Sequence, residues 1–235
     1  FKTFVGFAGL ETGRINAKET FTCPTSFSVG DHVFRNWKKE DAGRLNFRQA
    51  LTQSCNTWFY QAGLKIGAEP IIDYAKRLGL GRRTGIPLRS EAGGNIPDDD
   101  YMLRVHKRTI KGGDIANMAI GQGDILISPL QMAQAMSVMA NGGTLHQTRL
   151  VLQVQNIANQ VIAAYPDRIC DEIPTSPEVR EEMRRALVAV TSDGMGTAGR
   201  AQVKGIDVAG KTGTAQWGPT DNQRIAAWFA GFLPA

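Results

Sequence analysis

The stretch AGKTGTAQ, residues 209–216, lies in the first of two strands that the sequence predicts near the end of the chain, at 208–216 and 225–233. Helices are predicted in the segments before these strands. Helices first and strands last indicate an α+β fold, in which a helical lobe packs against an antiparallel sheet.

The side chains of this stretch suit the binding of an extended ligand that carries a carboxylate. Lys211, on a strand edge, can hold the carboxylate, and the hydroxyls of Thr212 and Thr214 add hydrogen-bond donors. Gly213 has no side chain, so a substrate backbone can lie against the strand there. An ordinary strand with a solvated lysine has the same residues, so the stretch alone leaves both interpretations open.

Turn residues and apolar spacing divide the rest of the chain into short elements. Residues 81–114 are rich in glycine, proline and aspartate and are predicted to form one long loop. Asn46 is a candidate N-cap, and Pro70 is predicted at a first helical position. Helices are predicted at 1–10, 47–53, 57–66, 70–78, 129–140 and 177–193, and further strands at 150–154 and 161–165.

Two other positions carry candidate chemistry. Ser54 and Asn56 stand two positions apart between predicted helices, where a hydroxyl that passes a proton and an amide that holds a substrate can point into one cleft. Both residue types are also good helix caps, which is the simpler interpretation of the pair alone. Lys2 opens the first helix, and a buried lysine with a lowered pKa can take a proton from a serine one helical turn before it. A single lysine near a terminus signifies little by itself.

The composition is that of an ordinary globular protein, with 42% hydrophobic and 21% charged residues, which argues against disorder. The net charge of +5 is spread along the chain without a basic stripe among aromatic residues, so solvated surface charge is favoured over nucleic-acid binding. Cys23, Cys55 and Cys170 form no C-x-x-C pair, and no metal site is expected. No apolar run reaches the length of a membrane span.

The order of three short stretches resembles the three motifs of the serine penicillin-recognising family. The stretches are Lys2, Ser54-x-Asn56 and Lys211-Thr212-Gly213. The resemblance covers nearly the whole chain and includes FKTF at 1–4, GQG at 121–123, SPLQMA at 128–133, NGG at 141–143, GTA at 196–198, AGKTGTAQ at 209–216 and AWFAGFLP at 227–234. Further stretches resemble the elongation-type class B enzymes, commonly called penicillin-binding protein 2: NWKK at 36–39, SCNTWFYQ at 54–61, EAGGNIP at 91–97 and KGGD at 111–114.

The resemblance implies a penicillin-binding/serine β-lactamase-like fold, with an antiparallel sheet flanked by helices and an all-helical lobe. It implies that residues 1–235 are a transpeptidase domain truncated at both ends. The nucleophilic serine is expected two residues before Phe1. The N-terminal strands of the sheet and its last strand and helix are expected outside the chain, so the fragment itself is expected to be inactive.

The resemblance also implies a reaction and a set of roles. The family cross-links peptidoglycan stem peptides through a serine acyl-enzyme, is trapped by β-lactams and needs no cofactor. Lys2 is expected to be the general base, Ser54 a proton relay and Asn56 an orienting group. The expected binders of the substrate carboxylate are Lys211, Thr212 and Thr214, the backbone N–H of Thr214 belongs to the oxyanion hole, and Gly213 and Trp217 also contact substrate.

The expected setting is the extracytoplasmic face of the bacterial cytoplasmic membrane, with an N-terminal anchoring span outside this chain. The expected partner is a membrane glycosyltransferase of the shape, elongation, division and sporulation family. Three alternatives stay open: a class A β-lactamase, for which Glu91 and Asn95 have the required spacing, a non-enzymatic β-lactam sensor, and a catalytically empty homologue.

Overall fold

The computed structural model describes residues 1–217 and 224–235. Eight helices lie within these ranges: α1 Lys2–Glu11, α2 Phe47–Thr52, α3 Asn56–Ile66, α4 Ala68–Arg77, α5 Asp99–His106, α6 Gly112–Ala119, α7 Pro129–Asn141 and α8 Pro177–Ser192. The same ranges contain ten strands: β1 Phe21–Thr22, β2 Ser26–Val29, β3 His32–Arg35, β4 Arg44–Leu45, β5 Thr144–His146, β6 Gln153–Gln155, β7 Val161–Ala164, β8 Ile169–Glu172, β9 Ala209–Trp217 and β10 Arg224–Phe232.

The described strands pair in antiparallel twos: β1 with β4, β2 with β3, β5 with β8, β6 with β7, and β9 with β10. The longest pair runs in register from Ala209 opposite Phe232 to Trp217 opposite Arg224. Helix α8 packs against β9, and α7 packs against β10. Helices on an antiparallel sheet confirm the predicted α+β class.

Helix α1 lies in the middle of the molecule, and residues 2–9 are all buried. It packs against α2, α3, α4 and α8, as expected of a helix that is apolar on nearly every side. Two glycines allow this close approach. A Cβ at Gly6 would lie 2.2 Å from Phe47, and a Cβ at Gly9 would lie 2.6 Å from Ile66.

An aromatic cluster fills the core beside α1. The Trp58 ring lies 5.9 Å from Phe47 and 4.9 Å from Phe59, centroid to centroid, and all three side chains are fully buried. The Trp58 indole N–H donates to the Leu45 carbonyl at 2.9 Å, so its one polar atom is satisfied. The cluster ties α2 and α3 together and fixes the segment between them.

Helix starts follow the predicted caps. The Asn46 side chain accepts from the Gln49 N–H, and Gln49 reaches back to the Asn46 N–H, which completes a capping box at α2. Ser128 caps α7 and Ser176 caps α8, each ahead of a proline at the first helical position. Helix α4 begins at Ala68 and not at Pro70, because a proline is tolerated anywhere in a first turn, where the N–H groups have no helical partner.

The predicted long loop at 81–114 is wrong in its second half, which contains α5 and the start of α6. The Asp98 carboxylate caps α5 by accepting from the Tyr101 N–H at 2.9 Å. At α6, the Asp114 carboxylate accepts from the Lys111 N–H at 2.8 Å. Gly112 and Gly113 have low helix propensity and conceal this second helix in the sequence.

The short strands β1 to β8 also differ from prediction. β1 to β4, β5 and β8 were not predicted, because strands of two to four residues are too short for a clear alternation. The strands predicted at 150–154 and 161–165 are present as the shorter ribbon of β6 and β7. The two final strands lie where they were predicted.

None of the helices in the described ranges combines the length and the apolar character needed to cross a bilayer.

We expect Gly6→Ala to destabilise the fold by about 1–3 kcal/mol, because the added methyl group meets the Phe47 ring inside a close-packed core. Urea unfolding followed by tryptophan fluorescence measures the change. Gly199→Ala is the matched control, since a Cβ there meets nothing within 4 Å, and it should leave the unfolding midpoint unchanged. Equal midpoints for both variants would contradict the close approach at Gly6.

Candidate active site

Lys2, the first residue of α1, is the centre of a polar cluster. Its Nζ donates to the Ser54 carbonyl at 2.7 Å, to Ser54 Oγ at 3.0 Å and to Asn56 Oδ1 at 2.6 Å. The side chain is only 8% exposed and lies 5.6 Å from the centre of the Phe59 ring. The structure therefore brings Lys2 next to Ser54 and Asn56, which lie more than fifty residues after it in the sequence.

Ser54 and Asn56 do not act as helix caps. Cys55 is the N-cap of α3 and makes no side-chain capping bond. Ser54 has a left-handed backbone with φ 55°, which a non-glycine residue adopts only where its surroundings hold it. The Asn56 N–H donates to Asn36 Oδ1 at 3.0 Å, and the side-chain oxygen of Asn56 accepts from Lys2.

Burial and the nearby Lys211 ammonium lower the pKa of Lys2 well below its usual range, while the Cys55 sulfur acts in the opposite direction. Desolvation penalises the charged form of an amine, and a like charge adds to that penalty. The neutral amine is thus easier to reach than in an exposed lysine. A neutral lysine next to a hydroxyl is the arrangement that a general base requires.

Lys211 lies on β9 and is 7% exposed, so it is not the solvated lysine of the simpler interpretation. Its Nζ donates to the Thr212 carbonyl at 3.0 Å and to Thr212 Oγ1 at 3.3 Å. Burial lowers the pKa of Lys211 to about 8. The side chain stays largely protonated at neutral pH and can attract an anion.

A second threonine supports this end of the strand. Thr197 Oγ1 lies 2.6 Å from Thr212 Oγ1, and Thr197 follows the end of α8. Sequence reasoning gave Thr197 no role, although the GTA stretch at 196–198 was among the family-like segments. The contact joins the segment after α8 to the candidate carboxylate site.

A cleft of about 270 Å³ runs beside β9. Lys211, Thr212, Gly213 and Thr214 line it along the strand, and Phe1, Thr3 and Phe4 line it from the start of the chain. Lys2, Ser54 and Asn56 are not themselves lining residues, but Lys2 lies between Phe1 and Thr3, which are. The remaining cleft residues come from the 120–127 segment, α7 and the two long strands: Ile120, Gly121, Gln122, Gly123, Ile125, Leu126, Ile127, Met132, Met136, Ala215, Gln216, Trp228 and Ala230.

The strand beside the cleft is open to an extended ligand. Among the described residues β9 pairs only with β10, so its other edge has no strand partner. Gly213 and Thr214 are exposed there. Trp217 ends β9, but its side chain lies outside the described part of the structure, and its predicted contact with substrate stays a prediction.

Trp37 makes a contact that the sequence did not predict. Its indole N–H donates to the carbonyls of both Gln53 and Ser54, each at 3.2 Å. Its neighbour Lys38 donates to Gln53 Oε1 at 3.0 Å. Only the NWKK stretch at 36–39 marked this segment in the sequence, and nothing in that stretch indicated its position beside Ser54.

Glu91 and Asn95, the pair that kept the β-lactamase alternative open, make local contacts. The Glu91 carboxylate accepts from the N–H groups of Thr84 at 2.6 Å and Gly85 at 3.3 Å. Asn95 donates from its side chain to the Asp124 carbonyl at 2.7 Å and pairs through its backbone with Leu126. Both residues hold the 84–95 loop in place, and within the described residues neither is hydrogen-bonded to Lys2 or Ser54.

Within residues 1–217 and 224–235, histidine, cysteine, aspartate and glutamate side chains do not gather into a group of three that could hold a metal ion. The groups near the cleft are two buried lysines, an asparagine amide and several hydroxyls. Together they can move protons and bind an anion.

Comparison with known proteins agrees with this arrangement. The family model for the penicillin binding protein transpeptidase domain matches residues 1–235. The peptidoglycan D,D-transpeptidase MrdA of Acinetobacter baumannii is 32% identical over 218 residues, which are 92% of this chain and 32% of the relative.

Two solved structures are similar over most of the chain. Penicillin-binding protein 2 of Helicobacter pylori, solved in complex with MreC, has a TM-score of 0.82 at 30% identity and covers 99% of this chain and 42% of its own. A peptidoglycan synthase complex that coordinates polymerization and crosslinking gives a TM-score of 0.78 at 28% identity, covering 93% of this chain and 36% of its own.

These matches confirm the predicted resemblance to penicillin-binding protein 2. The chain spans about a third of the length of the curated relative, so the relatives contain long segments outside the match. By its motifs, its fold and the match along its whole length, this chain belongs to the penicillin binding protein transpeptidase domain family.

Proposed function

We propose that the protein containing this chain is a peptidoglycan D,D-transpeptidase, which cross-links stem peptides through a serine acyl-enzyme and is inhibited covalently by β-lactams. The observation that carries the proposal is the buried Lys2 amine, which is hydrogen-bonded to Ser54 and Asn56. It lies close enough to Lys211 for the charge of Lys211 to lower the pKa of Lys2. The name of the A. baumannii relative supports the same reaction.

In the proposed acylation step, the nucleophile is a serine two residues before Phe1 in the longer protein. A helical residue three positions before Lys2 lies on the same face of α1, so the serine hydroxyl can pass its proton to the neutral Lys2 amine. The serine oxygen then attacks the carbonyl carbon between the two terminal D-alanines. The last D-alanine leaves as an amine, and an amine from a neighbouring stem peptide attacks the resulting ester.

Ser54 is the proposed relay to the leaving amine, because its Oγ lies 3.0 Å from Lys2 Nζ and can accept one proton while donating another. Asn56 orients the lysine through Oδ1. The Thr214 N–H, on the exposed part of β9, is the proposed oxyanion donor together with the serine N–H. Loss of one such donor lowers the rate about a hundredfold or more in well-studied hydrolases.

The proposed carboxylate site is Lys211 with the hydroxyls of Thr212 and Thr214. Lys211 is buried and positively charged below its pKa of about 8, so a carboxylate in the cleft meets a cation with few competing waters. Gly213 allows the ligand backbone to approach β9. Trp217 is proposed as a further substrate contact at the end of this strand.

The proposed setting follows from the substrate and the relatives. Peptidoglycan lies outside the cytoplasmic membrane, so we place the protein on the extracytoplasmic face, anchored by a span outside this chain. A membrane glycosyltransferase of the shape, elongation, division and sporulation family is the proposed partner, and a protein similar to MreC is a second. The similarity to a synthase complex and to the H. pylori complex supports both partners.

We expect Lys2→Ala in the longer protein to lower the rate of acylation by a fluorescent penicillin by about two to four orders of magnitude, because it removes the base. Labelling is measured in gels over time. Lys65→Ala on α3 is the control, since Lys65 is half exposed and pairs with Glu19 at the surface. Normal labelling of the Lys2 variant would refute its role as the base.

The pH dependence of acylation should be bell-shaped. The rate rises as Lys2 loses its proton, and it falls as pH passes about 8 because Lys211 becomes neutral and no longer binds the carboxylate. The measurement is kcat/KM, or the second-order acylation rate, from pH 5 to 10. With an ester analogue that lacks the carboxylate, the alkaline limb of the pH–rate profile should disappear. An unchanged limb would exclude Lys211 as the carboxylate partner.

Glu91→Gln separates the proposal from the β-lactamase alternative. We expect the lifetime of the penicilloyl adduct to stay within about twofold of wild type, because Glu91 bonds to loop N–H groups and not to the Lys2 cluster. The adduct is followed by mass spectrometry after free penicillin is removed. Fast turnover in wild type, with an adduct about a hundredfold longer-lived in the variant, would indicate a hydrolase.

A further inference from the structure

We propose that Trp37 is a positioning residue for acylation, because its indole N–H holds the two carbonyl groups that set the conformation of the Ser54 loop, residues 53–55. The proposal rests on the proposed function. It concerns a residue that has no hydrogen bond to Lys2 and acts on it through the Ser54 carbonyl.

The Ser54 loop needs an external restraint. Ser54 has a φ of 55°, in the left-handed region that costs a non-glycine residue free energy. The Trp37 indole N–H donates to the carbonyls of Gln53 and Ser54, which lie on either side of the Ser54 Cα, at 3.2 Å each. One rigid side chain therefore fixes two successive peptide groups in the strained conformation.

The Ser54 carbonyl links this restraint to the base. It accepts from Trp37 at 3.2 Å and from Lys2 Nζ at 2.7 Å, which uses both of its lone pairs. The direction of that carbonyl determines where the lysine amine lies relative to Ser54 Oγ. If the peptide group were released by the indole and turned further towards the ammonium, the amine would follow the carbonyl and lose its place beside the hydroxyl.

The neighbours of Trp37 strengthen the same contact. Lys38 lies over the indole ring at 5.5 Å and donates to Gln53 Oε1 at 3.0 Å. Asn36 Oδ1 accepts from the Trp37 N–H and from the Asn56 N–H, each at 3.0 Å. Residues 36–38 thus hold the segment from Gln53 to Asn56 at both ends.

Trp37 is 55% exposed, so the core does not account for its position. An exposed indole buries little apolar surface, and its replacement leaves no cavity of the kind that destabilises a core. The specific interactions of its side chain are the hydrogen bonds of the indole N–H and the contact of the ring with Lys38. Trp37→Phe removes those bonds, keeps an aromatic ring over which Lys38 can lie, and is expected to fold normally.

The experiment is the second-order acylation rate of the longer protein with a fluorescent penicillin, measured as a function of pH. We expect Trp37→Phe to lower the plateau rate about tenfold, the effect on a positioned group of losing the shared indole N–H donor. We also expect the acidic limb to move to higher pH, because a Ser54 carbonyl freed from the indole is a better acceptor for the Lys2 ammonium. Lys211 and Cys55, the other charged or titratable groups facing Lys2, are unchanged in the variant.

The neighbouring lysines supply a matched pair of controls. Lys38→Met removes the bond to Gln53 and should shift the profile in the same direction by less, whereas Lys39→Met, at an exposed position next to it, should match wild type. If Trp37→Phe has the wild-type pH profile, whether or not a smaller fraction of the protein is labelled, the positioning role is wrong.

A second measurement does not depend on the proposed function. NMR titration of ¹³C-labelled lysine, with the Lys2 signal assigned from Lys2→Arg, should show a higher pKa for Lys2 in Trp37→Phe than in wild type. An unchanged pKa overturns the inference. A wild-type protein that penicillin does not label would refute the proposed transpeptidase while this titration still decides the role of Trp37.

Discussion

The arrangement depends on one interaction, the donation of three hydrogen bonds by a buried lysine amine to oxygens of the segment between α2 and α3. Those acceptors offset part of the cost of removing the amine from water. They favour a precise position for Nζ, whereas the surrounding apolar residues and Lys211 oppose its charge. The balance keeps the amine in place with a lowered pKa, which suits the proton acceptor proposed above.

The fold provides this balance by surrounding the lysine with three separate parts of the chain. The central helix carries Lys2, the junction of α2 and α3 carries its acceptors, and β9 carries the second cation. The aromatic cluster of Phe47, Trp58 and Phe59 ties that junction to the core. Two further residues support the acceptors of the lysines. Thr197 is hydrogen-bonded to the Thr212 hydroxyl beside Lys211, and Trp37 donates to the Ser54 carbonyl beside Lys2.

Much of this was predictable from the sequence, for identifiable reasons. The spacing of Lys2, Ser54-x-Asn56 and Lys211-Thr212-Gly213 indicated the family, and cap residues marked most helix starts. The contacts of Trp37 and Thr197 were not predictable, because they depend on tertiary packing and leave no local pattern. Helix α6 was missed since it starts with two glycines, and the short strands were missed since two to four residues show no reliable alternation.

The close packing around α1 also determines which side of the cleft can adapt to a ligand. Gly6 and Gly9 allow neighbouring side chains against the helix backbone, so the helix has no free volume in which to tilt or slide. Within the described residues, one edge of β9 has no strand partner, and Gly213 and Thr214 are exposed. Adjustment to ligands of different bulk in the cleft therefore falls on the strand, while the packed helix holds Lys2 in place.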